Sequence, residues 1–81
     1  MHVTVHFYSY FRDLTACEEM TETLAAGSTL GDLTRQLGAR FPRLEAMQHS
    51  MLAAVGVDYQ TREYVLQPGD EVSLFPPVQG G

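Results

Sequence analysis

The end of the chain carries the group best placed to do chemistry. The final residues are Phe75, Pro76, Pro77, Val78, Gln79, Gly80 and Gly81. Proline cannot continue a hydrogen-bonded strand ladder and favours an extended polyproline conformation, so we predict that residues 76–81 form a stiff tail. Because glycine has no side chain, the last two residues would let the tail enter a narrow channel and present the Gly81 carboxylate inside another protein. A frayed terminus is the common alternative.

Other groups that often support catalysis or metal binding are poorly spaced. His2 and His6 share a predicted strand face but would lie about 13 Å apart, which is too far for one ion. No serine lies in a nucleophile elbow, and no glycine-rich loop could cradle a phosphate. Adjacent carboxylates such as Glu18 and Glu19 point to opposite faces of a strand. We therefore expect neither a metal site nor a self-contained active site.

The charge balance restricts the class of ligand. Ten acidic residues outnumber five basic ones, all of them arginine, and the net charge is -5. Such a chain repels nucleic acid and phosphorylated substrates, so a phosphorylated substrate would be held by a more basic partner. Cys17 is the single cysteine and lacks a matching base, so we interpret it as a strand-edge residue rather than a nucleophile.

The apolar segments are too short for a membrane protein. The N-terminus has no basic n-region and no apolar h-region. The longest apolar run, residues 51–55, is far shorter than the roughly 20 residues that span a bilayer. We therefore expect a soluble, cytoplasmic protein with no membrane partner.

The first elements that position the tail are two strands. Val3, Val5 and Phe7 alternate with polar residues, as in a strand with one buried face. Residues 10–14 break the alternation and are predicted to form a turn. Residues 18–24, rich in threonine and in acids expected to be exposed, are predicted to form a second strand. Two strands so close in sequence should pair as an antiparallel hairpin.

One amphipathic helix is predicted next. Ser28 or Thr29 would be its N-cap, with Asp32 satisfying amides of the first turn, and Pro42 would end it. The apolar stripe consists of Leu30, Leu33, Leu37 and Phe41. The cations that we interpret as a solvent-exposed face of its C-terminal half are Arg35, Arg40 and Arg43.

The remaining strands lie between residues 52 and 75. Residues 52–57 are an apolar stretch of β type, residues 61–65 are a candidate short strand, and Val72 and Leu74 alternate with polar residues in the last strand. Residues 67–70 have the composition of a type II turn. A single helix covers only one face of such a sheet. We predict an α+β fold of the ubiquitin-like β-grasp kind over residues 1–75, with a mixed sheet of four to five strands, followed by the tail.

Four segments of the chain match a known pattern. Residues 7–14 match a first-strand and turn motif, residues 29–33 a helix start, and residues 52–55 a third strand. Residues 68–81 match a Gly-Asp-Glu-Val strand followed by Phe-Pro-Pro-Val-x-Gly-Gly. The chain thus resembles the small subunits of molybdopterin synthase, which are ubiquitin-like sulfur carriers. It departs from them at Gly56, where a polar turn residue is frequent, and at Glu22, where an apolar strand residue is usual.

The resemblance implies a carrier rather than a catalyst. An adenylating enzyme of the ubiquitin-activating type would use ATP to activate Gly81, which follows Gly80, and a persulfide donor would convert it to a thiocarboxylate. Inside the large subunit, in an expected heterotetramer, this group would give its sulfur to the cyclic pyranopterin monophosphate precursor. Two carriers would serve each dithiolene. The carrier itself would bind no cofactor.

The resemblance also implies a partner surface beside the tail. Tyr8 and Phe75 should point away from the core, and Tyr59 lies where the family presents an apolar contact. We predict that these three rings form an exposed aromatic patch with Arg12 at its rim, and exposed aromatic groups beside a functional tail usually mark a partner surface. The tail residues expected to contact a partner are Pro76, Pro77 and Val78. A Phe75 buried in the core and a solvated Arg12 are the alternatives.

The same tail chemistry permits other functions. One is a sulfur carrier for the thiazole of thiamin, for cysteine or for a tRNA base, although the thiazole carriers are usually shorter and lack the Phe-Pro-Pro ending. A second is a ubiquitin-like modifier that is joined to lysines of other proteins. A third is an interaction module with an inert tail. The Phe-Pro-Pro ending favours the pterin pathway.

Overall fold

A computed structural model of the chain describes residues 1–77, which form a five-stranded sheet and three helices. The strands are β1 (His2–Phe7), β2 (Glu19–Thr23), β3 (Leu52–Val55), β4 (Asp58–Tyr59) and β5 (Glu71–Phe75). The helices are α1 (Phe11–Thr15), α2 (Leu30–Arg40) and α3 (Pro42–Glu45). The strand order is β2-β1-β5-β3-β4, in which β1 and β5 are parallel and the other pairs antiparallel. The predicted mixed sheet of a β-grasp fold is confirmed.

Alternation along the strands separates a buried face of the sheet from an open one. Val3, Val5 and Phe7 of β1 join Val72 and Leu74 of β5 in one core cluster. The helix leucines in the same cluster, all fully buried, are Leu30, Leu33 and Leu37. Burial of each such leucine stabilises the fold by roughly 1.5–3 kcal/mol relative to an exposed one. The opposite face, which we call the outer face, carries side chains that no helix covers.

The start of α2 is fixed by a reciprocal cap. The Asp32 amide donates to Thr29 Oγ1 at 3.2 Å, and the Thr29 amide donates to Asp32 Oδ2 at 2.8 Å. The backbone hydrogen bond from Thr29 lowers the pKa of the Asp32 carboxyl, and the Thr29 side chain and the nearby Arg35 guanidinium act in the same direction. The predicted cap is confirmed, with Thr29 rather than Ser28 as the N-cap residue.

The residues predicted to form a turn after β1 form α1 instead. This helix lies between two residues in the left-handed region, Ser9 with φ 56° and Ala16 with φ 60°. Its first residue, Phe11, is fully buried, and Thr15 Oγ1 donates to the Phe11 carbonyl at 3.0 Å. The turn prediction was wrong because five residues are too few to display helical periodicity.

A second short helix follows α2. The chain leaves α2 at Phe41, and Pro42 is the first residue of α3, where a missing amide donor costs nothing. The sequence located the end of α2 correctly but showed no period after residue 44, so α3 was missed. Within residues 1–77 no helix is long and apolar enough to cross a membrane.

The third strand and the segment after it differ from the prediction. β3 ends at Val55, and a two-residue turn with Gly56 at φ 62° leads into β4. Glycine at the first central position is typical of a type II′ hairpin. Residues 61–65 were wrongly predicted to be a strand. The amides of Leu30 and Gly31 donate to the carbonyls of Tyr64 and Arg62 at 2.8 and 3.0 Å, so this segment satisfies the free donors at the start of α2.

The turn before β5 has the predicted form. The Asp70 amide donates to the Gln67 carbonyl at 3.0 Å, and Gly69 has φ 83°, as the third position of a type II turn requires. Asp70 Oδ2 also accepts hydrogen bonds from the Gln67 amide at 2.8 Å and from the Tyr64 hydroxyl at 3.1 Å. The turn therefore sets the register in which β5 enters the sheet.

One acidic side chain of β2 lies inside the fold. Glu22 is 1% exposed, although the acids of this strand were predicted to be exposed. Its Oε2 accepts a hydrogen bond from Gln36 Nε2 at 2.6 Å, and its Oε1 forms an ion pair with Arg40 Nη1. The Arg40 side chain is 50% exposed, as a solvated face requires, but its ion pair with Glu22 was not predicted. The reason is that this pair joins α2 to β2, which no local pattern reveals.

Candidate functional site

The site lies where β1 and β5 end side by side. Because these strands are parallel, with Phe7 opposite Leu74, their C-terminal ends meet at the same edge of the sheet. The Tyr8 amide donates to the Leu74 carbonyl at 3.2 Å, which holds the end of β1 against β5. The tail starts at this edge, directly after Phe75.

Three aromatic rings, which we call the aromatic patch, cover the outer face at this edge. The rings of Tyr8 and Phe75 are stacked with centroids 4.8 Å apart and an interplanar angle of 14°. Tyr59 of β4 lies 6.2 Å from Phe75 between ring centroids. Tyr8 is 44% and Tyr59 69% exposed, whereas Phe75 between them is half-buried. The rings lie together as predicted, and Phe75 is on the outer face rather than in the core. Their role in binding a partner stays a prediction.

Sequence reasoning missed the apolar extension of this patch. Leu52 of β3 lies opposite Phe75 in the sheet register and is 38% exposed. An open groove of about 410 Å³ starts there and is lined by Met51, Leu52, Ala53, Tyr59, Gln60 and Arg62. All four residues of β3 are apolar, so the sequence shows no alternation that would indicate the direction of Leu52, and only the pairing with β5 sets it beside Phe75.

The rim on the other side of the patch is polar. Arg12 of α1 lies there, with its Nη1 3.5 Å from Glu18 Oε1 and its Nε donating to the Ser9 carbonyl at 3.3 Å. Arg12 is exposed, so an intramolecular contact of this length contributes little stability. Arg12 lines the same cleft as Tyr8, and its role toward a partner stays a prediction.

A histidine on the outer face is held between two carboxylates. His6 Nε2 lies 2.9 Å from Glu71 Oε1 on β5, and His6 Nδ1 lies 3.5 Å from Glu19 Oε1 on β2. The sequence placed His6 on this face but could not identify its partners, which come from strands on both sides of β1. The side chains of Glu19 and Glu71 remain 63% and 66% exposed.

The groups considered for chemistry elsewhere in the chain are not brought together. Within residues 1–77 no cluster of three or more His, Cys, Asp or Glu side chains is arranged to hold a metal ion. Cys17 is half-buried, with its Sγ 3.6 Å from Thr15 Oγ1, and it precedes β2 instead of lying in it. His2 Nδ1 is paired with Thr23 Oγ1 at 3.0 Å.

The first residues of the tail follow β5 directly. Pro76 and Pro77 are half-buried and belong to no strand. Val78, Gly80 and Gly81, which were predicted to contact a partner or to react, lie outside the described residues. The division of the chain into residues 1–75 and 76–81 therefore stays a prediction.

Comparison with known proteins identifies the family. The sequence model of the ThiS family matches residues 5–81, which include the Gly-Gly ending. The chain belongs to the ThiS family. It is also similar to the molybdopterin synthase sulfur carrier subunit of Escherichia coli, with 33% identity over 98% of this chain and 99% of the relative. The protein of the same name from Chlamydomonas reinhardtii is 31% identical over the full length of both chains.

Solved structures show the same fold. SAMP1 from Haloferax volcanii matches with a TM-score of 0.88 over the whole of both chains, at 19% identity. A chain from the complex of subunits 1 and 2 of the molybdopterin-converting factor of Helicobacter pylori matches with a TM-score of 0.69, also over both full lengths, at 24% identity. The ubiquitin-like β-grasp architecture of this ThiS-family chain is therefore shared at full length.

Proposed function

We propose that this member of the ThiS family is the sulfur-carrying small subunit of a molybdopterin synthase. The observation that carries the proposal is a Pro-Pro tail ending in Gly-Gly, which leaves β5 directly beside an exposed aromatic patch. The sulfur carrier subunits that are 31% and 33% identical over nearly the full chain support the same role. The reacting group would be the carboxylate of Gly81.

The first chemical steps would activate this carboxylate and load it with sulfur. A Gly81 oxygen would attack the α-phosphate of ATP on an adenylating enzyme of the ubiquitin-activating type, forming an acyl adenylate and releasing pyrophosphate. A donor persulfide would then attack the acyl carbon and displace AMP. Reduction of the resulting sulfur–sulfur bond by a thiol would leave a thiocarboxylate, whose anionic sulfur is a good nucleophile at neutral pH. ATP would thus serve the activating enzyme, and the carrier would hold no cofactor.

The final step would transfer the sulfur inside the large subunit. The thiocarboxylate sulfur would form a bond to a carbon of the cyclic pyranopterin monophosphate precursor and displace an oxygen substituent from that carbon. Water would then cleave the bond between the acyl carbon and sulfur, restoring the Gly81 carboxylate and leaving sulfur on the product. A dithiolene has two sulfur atoms and so needs two loaded carriers, which fits a heterotetramer of two small and two large subunits.

The body of the carrier would supply binding rather than catalysis. Tyr8, Tyr59 and Phe75 would dock on the partner, with Arg12 at the rim, and the tail would enter the partner beside them. Interface energy is commonly concentrated in a few buried aromatic anchors. The Helicobacter pylori structure of the same fold, in which subunit 1 is in complex with subunit 2, supports a large subunit as partner.

The test is to follow the mass of the intact protein. Incubation with the adenylating enzyme, ATP and a persulfide donor should replace one oxygen of the protein by sulfur, and fragmentation should locate the change at Gly81. Cys17→Ser is the matched control and should be loaded normally. Sulfur found on Cys17, with an unmodified terminus, would contradict the proposal.

The acceptor distinguishes the related functions. The loaded carrier would be offered the pyranopterin precursor with the large subunit, a thiolation-competent tRNA, or a lysine-bearing protein. We expect transfer only to the precursor. Sulfur in the tRNA would identify a carrier of another pathway, and an amide bond to lysine would identify a protein modifier. Loading without transfer to the precursor would reject the synthase and leave the carrier chemistry intact.

A further inference from the structure

A cleft borders the aromatic patch on the side of β2. Its volume is about 270 Å³, and it is lined by His6, Phe7, Tyr8, Arg12, Glu18 and Glu19. Phe75 stacks on the Tyr8 ring from the side of β5, but the ring remains 44% exposed and also lines the cleft. The lining of the cleft therefore combines an exposed aromatic ring with the carboxylates of Glu18 and Glu19.

The carboxylates at this cleft are only partly compensated. The side chains of Glu18 and Glu19, which line it, are 81% and 63% exposed. Arg12 is the only arginine that lines the cleft, and its Nη1 is 3.5 Å from Glu18. His6 Nδ1 lies 3.5 Å from Glu19 Oε1, whereas its Nε2 lies 2.9 Å from Glu71 Oε1, outside the lining of the cleft.

The other arginines do not line the cleft. Arg62 lines the groove at Leu52 and Tyr59, on the other side of the patch. The remaining three, Arg35, Arg40 and Arg43, lie on α2 and α3. Two of these form ion pairs with Asp32 and Glu22, away from the outer face. Negative charge is therefore concentrated on the outer face beside the patch, and a partner docking there gains from a basic surface.

We propose that this cleft receives an arginine side chain of the large subunit, between the Tyr8 ring and the carboxylate of Glu19. A guanidinium is planar, so it can stack on an aromatic ring while it donates two hydrogen bonds to a carboxylate. An ammonium group cannot do both in this way. We choose the large subunit as the partner because it would have to bind the phosphorylated precursor. A protein that binds a phosphate group has a basic surface. The inference rests on the proposed function for the identity of this partner.

The test compares Glu19→Gln with Glu63→Gln. Glu63 is an exposed glutamate on the segment after β4, outside the lining of the cleft, so it controls for loss of one charge. Titration calorimetry with the large subunit should give a dissociation constant roughly five- to tenfold higher for Glu19→Gln, since a factor of ten is about 1.4 kcal/mol. The loss of affinity should shrink at high salt. The thermal melt of Glu19→Gln should be unchanged because exposed ion pairs contribute little.

A double-mutant cycle identifies the arginine. Each exposed arginine on the docking surface of the large subunit would be changed to alanine and tested against the wild-type carrier and Glu19→Gln. We expect one arginine whose loss has little further effect in the Glu19→Gln background. If wild type binds and Glu19→Gln binds as tightly as Glu63→Gln, the inference is overturned while the proposed function stands. If wild type does not bind the large subunit, the proposed function fails. Charge-dependent binding only to the adenylating enzyme would overturn the choice of partner.

Discussion

Replacing Arg40 by methionine isolates the buried carboxylate of Glu22. Methionine retains an unbranched, helix-compatible side chain of similar length, so the variant removes the guanidinium with little change in helix propensity. Glu22 would keep Gln36 Nε2 at 2.6 Å as a partner for Oε2, but Oε1 would lose its cation. Because Glu22 is 1% exposed, water cannot replace that cation without opening the contact between α2 and β2.

The expected loss of stability follows from the burial of Glu22 and Arg40. Removing one partner of a fully buried ion pair costs about 3–5 kcal/mol. The Arg40 side chain is 50% exposed, so part of its charge is already solvated in the folded protein and the cost should be smaller. We expect about 2 kcal/mol, within the range for a buried polar group that loses a charged partner. In a domain of this size that corresponds to a fall in melting temperature of about 8–16 °C.

Urea denaturation followed by circular dichroism measures the effect. The midpoint should fall without a change in slope. Arg43→Met, on α3, is the control, because Arg43 is an exposed arginine that forms no ion pair within residues 1–77. The double variant Glu22→Leu with Arg40→Met should recover most or all of the lost stability, since apolar residues often replace a buried pair without loss. Equal midpoints for Arg40→Met and Arg43→Met would refute this account of Glu22.

Three further predictions concern the site and the helix cap. Phe75→Ala should weaken binding to the large subunit and to the adenylating enzyme about tenfold or more while lowering the melting temperature only slightly, and unchanged affinity with a large loss of stability would assign Phe75 to the core. Deleting Gly81, or adding one residue after it, should abolish sulfur transfer without unfolding, because the reacting atom must reach bonding distance; turnover by the shortened chain in a defined synthase assay would refute this. The pKa of Asp32 is lowered in the folded state, so its stabilising contribution is present above the ordinary aspartate pKa and is lost as pH falls through the lowered value. Acid denaturation should therefore bring Asp32→Asn and wild type together at low pH, and a stability difference that is independent of pH would contradict the assignment.

Local patterns in the sequence were sufficient for the elements whose signals are short-range. Alternation of Val3, Val5 and Phe7 identified β1 and its buried face, because side chains in a strand point to opposite sides at successive residues. Thr29 and Asp32, three residues apart, identified the start of α2, because the two groups satisfy each other's amides across one turn. The tail was likewise predicted from residue types alone.

The errors occurred where one segment depends on another that is distant in sequence. Residues 61–65 resemble a strand in composition, but their carbonyls satisfy the first amides of α2, and that need is apparent only when the two segments meet. α1 is one turn long, and burial of Phe11 in the core holds it in place. Such elements are stabilised by tertiary contacts rather than by their own periodicity.

The candidate site also combines features that the sequence shows with features that only the fold creates. The sequence alone determined which residues we propose as the reacting group and the partner surface, because a terminal carboxylate behind a Gly-Gly ending and aromatic residues beside it are properties of residue type and order. Only the tertiary structure decided that Tyr8 stacks on Phe75, that Leu52 extends the patch and that His6 bridges Glu19 and Glu71. These contacts join residues separated by up to 67 positions in the chain, as for Tyr8 and Phe75. They depend on the registers of β1 with β2 and β5 and of β3 with β5, which are set by packing of the whole sheet against its helices and are encoded in no single segment.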